Sequence, residues 1–354
     1  MTLQVKPVLR TSLNPDADSQ PQRCAAMNGS LTRGRGCAAS YMLFRLYYLS
    51  YIKSLECQCY RLKQVLHNNH ERRLPMLGRI ALDLSIDANL KRRVQAAVKL
   101  AAQHDAELIG ICTDPPIPQY LAGGTAAAAG VLNTLLARID EDKTQARDMF
   151  LAEAEAAGVR VQCRMPKGPV EEVLATHARL CDLMIMSQNR QHESSWAIPP
   201  TMAETVIMTA GRPVLMIPFA NIADYPIGKN VLFCWDYGRR AARALADAAP
   251  ILSQASSLTI LTVDPQPDML IERDVQPGDM LAYCAAHGYP EPKEVSKTSE
   301  YLNVGDTILN AVTDHGCDMV IMGIYNRSRV REWILGGTSK TLIQSMTVPI
   351  MFSH

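Results

Sequence analysis

Cys181-Asp182-Leu183-Met184-Ile185-Met186 and Cys317-Asp318-Met319-Val320-Ile321-Met322 are two copies of one short apolar run, 136 positions apart. The offset persists to the end of each copy, where Arg212-Pro213-Val214-Leu215 meets Val348-Pro349-Ile350-Met351. Upstream, the element order repeats as well. Ile80-Ala81-Leu82-Asp83 reads as a strand, followed by a helical stretch over 89–104 and a strand over 107–113. Residues 231–236, 239–254 and 257–263 give strand, Ala-rich helix and strand again. Both second strands run into Asp-Pro, at Asp114-Pro115 and Asp264-Pro265. A constant offset through strand, loop, helix and strand marks an internal duplication.

Each half alternates strand and helix and ends in a strand. That pattern predicts two tandem open, mainly parallel five-stranded α/β sheets with helices on both faces and right-handed crossovers. The reading divides the chain into an N-terminal extension over 1–75, a first domain over 76–220 and a second over 228–354. Pro213 and Pro349 fall within the last strands, where a missing N–H is tolerated only at an edge, a bulge or a strand start. The last strands are therefore expected at sheet edges. There they would serve self-association, within the chain or in a homodimer.

Composition separates the extension from the body. Residues 1–75 hold 11 Lys and Arg against 4 Asp and Glu, the remainder 25 against 31. Over the whole chain the net charge is +1, with 47% apolar and 20% charged residues, as in a soluble globular protein without a global nucleic-acid footprint. Tyr41–Ile52 is apolar, but Arg45 interrupts it and Lys53 ends it, short of a membrane span. No secretory leader is legible, and Met76-Leu77-Gly78 reads as a natural start, so the extension is expected to be disordered or a mis-assigned start. The ten cysteines show no paired zinc spacing, and the body is read as reduced and cytoplasmic.

The segment that could carry chemistry follows Met322: Gly323-Ile324-Tyr325-Asn326-Arg327-Ser328-Arg329-Val330-Arg331-Glu332-Trp333-Ile334-Leu335-Gly336-Gly337-Thr338-Ser339. In open α/β sheets ligands bind beyond the carboxyl ends of strands. Gly323 and Asn326 tolerate positive φ, and Gly336-Gly337 allows close backbone approach. Thr338 and Ser339 open a helix with hydroxyls and free N–H groups suited to an anion. Arg327, Arg329 and Arg331 add positive charge.

On these residues the chain resembles a tandem universal stress protein of the bacterial kind, over residues 76–354. The family's nucleotide loop is Gly, two residues, Gly, nine residues, Gly, then Ser or Thr. Gly323 and Gly336 match at that spacing. Asn326 replaces the middle glycine, and Gly337 stands in the Ser/Thr position with Thr338 one place later. The resemblance implies binding of ATP or another adenine nucleotide, with Mg²⁺ only in its company. Asp236 would face the adenine and ribose, and the backbone near Val263 would line the base pocket. The implied site is thus Asp236, Val263, Gly323, Asn326, Arg327, Ser328, Gly336, Gly337, Thr338 and Ser339, with no catalytic residue and no metal ligand.

The same offset pairs Gly323, Asn326, Gly336 and Gly337 with Ser187, Arg190, Pro200 and Thr201, and the three arginines with Gln191, Glu193 and Ser195. The first half is therefore expected not to bind ATP, although Asp83 ends its first strand. Trp235 and Trp333 read as packing residues, and the histidines have no partners at ligand spacing. Leu132, Leu135, Leu136 and Ile139 predict a helix over the first sheet, flanking an apolar cavity or simply packed in the core. The expected function is a cytoplasmic nucleotide-binding regulator in a stress response, with itself and unidentified proteins as partners. The alternatives are an interaction scaffold without a ligand and, behind it, a slow ATPase.

Overall fold

The computed structural model describes residues 76–117, 126–188, 202–219, 226–265, 275–276, 278–299, 302–324 and 337–354. The first half comprises β1 (Arg79–Asp83), α1 (Leu90–His104), β2 (Glu107–Ile111), α2 (Ala126–Ala156), β3 (Val161–Arg164), α3 (Val170–Ala178), β4 (Leu183–Ser187), α4 (Met202–Thr209) and β5 (Val214–Ile217). The second comprises β6 (Asn230–Cys234), α5 (Arg239–Asp247), α6 (Ala249–Leu252), β7 (Ser257–Val263), α7 (Asp279–His287), β8 (Pro292–Lys297), α8 (Val304–Asp314), β9 (Met319–Gly323), α9 (Gly337–Ser345) and β10 (Ile350–Ser353). The expected helix over 239–254 is interrupted at Ala248, ahead of Pro250, which has no N–H to give to a continuing helix.

Alternate residues of the repeated strands face opposite layers. Ile80, Leu82, Leu183, Ile185, Val231, Phe233, Met319 and Ile321 belong to one buried cluster, with residues of α1, α2, α5 and α7. Ala81, Met184, Met186, Leu232, Val320 and Met322 belong to the other, with α3, α4, α8 and α9. Burial on both faces is why these strands read as continuous apolar runs. The repeated Asp has its own task. Asp182 Oδ2 accepts from the N–H groups of Gly78 and Arg79 at 2.8 and 3.0 Å. Asp318 likewise accepts from those of Gly228, Lys229 and Asn230. Each carboxylate thereby pins the entry to the first strand of its half.

The five-stranded arrays join into one ten-stranded sheet of order β3-β2-β1-β4-β5-β10-β9-β6-β7-β8, parallel except at the β5–β10 seam. Along that seam Met351 lies opposite Leu215, its own counterpart at offset 136, with Ile350 opposite Met216 and Phe352 opposite Val214. The halves are thus related by a pseudo-two-fold axis through the Leu215–Met351 pair, the arrangement of an isologous dimer within one chain. Pro213 and Pro349 stand just before β5 and β10 rather than inside them. Their carbonyls accept from Met184 N and Val320 N, and no ladder donor is lost. Gln188 ties the halves further by donating to Gln344 O at 2.9 Å, while accepting from Phe219 N of its own half at 3.0 Å. Gln254 Nε2 reaches His104 Nδ1 at 3.1 Å.

Two expectations need correction. β6 ends at Cys234, so Trp235 and Asp236 lie beyond it. In α2, Ile139, Ala146, Phe150 and Ala154 are buried, whereas Val131 is 56% and Leu136 39% exposed, so the packed stripe begins only at Ile139.

Candidate functional site

In each half the first strand is where the order reverses, β1 beside β4 and β6 beside β9, and the crevice beyond those carboxyl ends is the place for a ligand. In the second half, β9, β6 and β7 lie side by side and parallel, so Gly323, Asp236 and Val263 share one rim. Helix α9 runs back from β9 to the parallel strand β10, which sets its amino-terminal turn at that same rim.

Sequence-derived residues at this rim have distinct surroundings. Gly323 ends β9 against the helix backbone. A Cβ there would come within 2.5 Å of the Arg240 carbonyl carbon and 2.7 Å of Ala241 N, so glycine is required by the approach of α5 to the sheet. Asp236 is exposed, and its Oδ1 accepts from Gly238 N at 2.8 Å in a turn that leads into α5. Val263 is partly buried at the end of β7. The next residue, Asp264, turns the chain at φ 51° and accepts from Ser299 N and Oγ at 2.9 and 2.5 Å, bonds that hold its carboxyl below the usual range.

In α9, an added Cβ on Gly337 would meet nothing within 4 Å. Thr338 is half-buried. Ser339 is 0% exposed, and its Oγ has no hydrogen-bond partner among the described residues. Asn326, Arg327, Ser328 and Gly336 lie outside the described residues, as do Arg190, Gln191, Glu193, Ser195, Pro200 and Thr201 of the first half. Trp235 and Tyr237, with ring centroids 5.4 Å apart, line a cavity of about 80 Å³ with Met280 and Glu294. It lies on the α7 side of the sheet, is smaller than a nucleotide site needs, and was not foreseen from sequence.

The first-half crevice is built differently. Arg93 of α1 is 0% exposed, and its guanidinium spans the β1–β4 switch point. Nε donates to Asp83 O at 2.6 Å; Nη1 donates to Ser187 Oγ and to Asp87 Oδ2, both at 2.7 Å; Nη2 donates to Ser85 O. Asp83 is 1% exposed, and burial pushes its carboxyl up against the opposing pull of Arg93.

Sheet register sharpens the comparison of halves. Ile80 pairs with Leu183 as Val231 pairs with Met319, which aligns Asp83 with Cys234 and Ser85 with Asp236. Asp83 is therefore not the counterpart of Asp236. At the position of Gly323 the first half has Ser187, a ligand of Arg93. In the sequence Arg93 is hidden by the charged run Lys91-Arg92-Arg93; its signal is its phase, since Leu90, Val94 and Ala97 place it on the buried stripe of α1.

Residues 228–354 match the model of the Universal stress protein family. No curated protein matches the chain. Among solved structures, a universal stress protein from Archaeoglobus fulgidus DSM 4304 is similar at 17% identity and TM-score 0.59, over 78% of this chain and 97% of that one. That span extends beyond the second half into the first. A putative universal stress protein from Pseudomonas aeruginosa UCBPP-PA14 aligns at 16% identity over 78% of this chain and 93% of that one, with TM-score 0.49. A universal stress protein in complex with cAMP aligns at 18% identity over 40% and 97%, with TM-score 0.28. At 17% identity the likeness to the Archaeoglobus fulgidus protein is one of fold.

Proposed function

We propose that the chain is a tandem universal stress protein, with domains over 76–220 and 228–354, whose second domain binds an adenine nucleotide and whose first does not. The observation that carries this reading is Ser339, a hydroxyl in the first turn of α9 that is buried without a hydrogen-bond partner among the described residues, two positions after a glycine whose added Cβ would meet none of them within 4 Å. Such a group costs about 1–3 kcal/mol unless something satisfies it. A helix amino terminus with free N–H groups suits a phosphate. The donor set fits the group. Gly336, Gly337, Thr338 and Ser339 would hold phosphate oxygens, with Asn326, Arg327, Ser328 and Gly323 in the preceding loop, while Asp236 and the Val263 backbone would face the nucleoside. Mg²⁺ would enter only with the phosphates. The protein then acts in the cytoplasm as a regulator in a stress response, passing on nucleotide occupancy through its assembly with itself and other proteins.

The scaffold reading draws on two observations. Gly323 is accounted for by helix packing alone, and Asp236 Oδ1 is engaged by its own turn. Equilibrium binding of labelled ATP to the purified chain separates the two readings. Saturable binding lost in Gly336→Val and kept in Pro200→Ala supports the nucleotide site. No binding at millimolar ATP leaves the scaffold. Phosphate release that scales with protein and disappears in Asp236→Asn would instead make it an ATPase.

A further inference from the structure

Cys112 and Cys163 bring their Sγ atoms to 3.9 Å at the outer edge of the first half, and nothing in the nucleotide reading uses them. Cys163 lies on β3, the end strand of the sheet, hydrogen-bonded to β2 alone. Cys112 follows β2 directly, its N–H bonded to Arg164 O. The sulfurs must close by roughly 2 Å to reach bonding distance. A strand fixed on one side yields to that motion more readily than an interior one. The two thiols are not equivalent. Cys112 is 1% exposed, whereas Cys163 is only partly buried. The bond with Cys112 and then the Arg147 guanidinium bring the Cys163 thiol down to about 7, against the pull of its burial. Cys112 is pushed up by that same bond and by burial. The other cysteines of the described body are set against ionisation by burial, with Cys234 raised to about 12 and Cys317 to about 11, and Cys181 and Cys284 raised as well.

We propose that Cys163 and Cys112 form an oxidant-responsive dithiol, in which Cys163 reduces a hydroperoxide and Cys112 converts the product to an intramolecular disulfide. In the first step the Cys163 sulfur attacks the terminal peroxide oxygen and the O–O bond breaks. Cys163 becomes a sulfenic acid, and the leaving oxygen takes the thiol proton and departs as an alcohol, or as water from hydrogen peroxide. In the second, the Cys112 sulfur attacks that of Cys163 and the S–O bond breaks. Hydroxide leaves with the Cys112 proton as water. The two thiols supply the two electrons that reduce the peroxide. A dithiol reductant restores the pair by exchange.

The test uses the full reduced chain with equimolar hydrogen peroxide, followed by non-reducing tryptic mapping. Cleavage places Cys163 in the peptide Val161–Arg164 and Cys112 in Leu100–Arg138. The expected product is these two peptides joined, with the loss of two hydrogens. In Cys112→Ser a dimedone adduct is expected on Cys163, and in Cys163→Ser the Cys112 thiol stays free. Iodoacetamide at pH 7 should alkylate Cys163 ahead of the more buried Cys112. Absence of the joined peptides in the wild-type chain would overturn the proposal. So would alkylation of Cys112 ahead of Cys163, or a dimedone adduct on Cys112 in Cys163→Ser.

Discussion

Ser339 and Arg93 are the residues on which the two halves part. Ser339 keeps a buried hydroxyl unsatisfied within the described protein, a feature that stability alone would remove. Ser339→Ala is therefore expected to leave the thermal midpoint unchanged or raise it, while weakening ATP binding about ten-fold, or ~1.4 kcal/mol. Calorimetric melting and ATP titration of the same sample check both arms; a lower midpoint with unchanged affinity would make the hydroxyl structural. Arg93 carries the opposite expectation. Its removal takes the donor away from Asp87 Oδ2, Ser187 Oγ and the Asp83 and Ser85 carbonyls, so Arg93→Ala should destabilise the chain by about 3–5 kcal/mol in urea unfolding. A loss below about 1 kcal/mol would mean that these groups find other partners at little cost.

Legibility differed between these residues for a physical reason. The glycines and hydroxyls after β9 announce themselves by composition and spacing, but the identity of the group that fills a crevice depends on which helix face turns inward. Asp83 and Asp236 looked alike as carboxylates at strand ends, and only the hydrogen-bond register shows them two positions out of step.

Among the elements, α1 and the segment after α6 meet across the pseudo-axis through His104 and Gln254. The Gln254 amide nitrogen has only hydrogens to offer, so Nδ1 accepts, and the ring is neutral in this contact. Burial first, and then the Lys229 charge, hold His104 below its ordinary 6.5. The neutral form is thus favoured by the folded state. Its contribution is complete above the unfolded value of 6.5 and is lost as pH falls from there through the folded value. Stability measured by urea midpoints from pH 7.5 to pH 5 should fall on the acid side, and His104→Gln should flatten that slope. An equal slope in the variant would remove His104 from the account.

The alternation of strand and helix and the two helical layers were readable here because the apolar runs are buried on both faces and recur at a constant offset, whereas the strand order appears only in the structure. The break at Ala248 followed from Pro250 and went unread, as did the exposure of Leu136, since helical spacing alone does not say where along a 31-residue helix the sheet begins.

At the scale of the molecule, the duplication puts an isologous interface inside one chain. The seam between β5 and β10 keeps its symmetry to the residue, with Leu215 opposite Met351. The two crevices do not. One holds a guanidinium from its own helix; the other holds a helix amino terminus with a hydroxyl that has no partner among the described residues. The duplication and the loss of loop glycines in the first half were legible in sequence, whereas the joining of the sheets through their last strands was legible only as edges open to association, within the chain or between two chains. Function on this account resides in the asymmetry, one open site on a symmetric frame. The most direct test is the stoichiometry of ATP binding to the full chain by equilibrium dialysis. One nucleotide per chain, unchanged in number in Pro200→Ala and absent in Gly336→Val, is the expected result; two nucleotides per chain, or none at millimolar ATP, would contradict it.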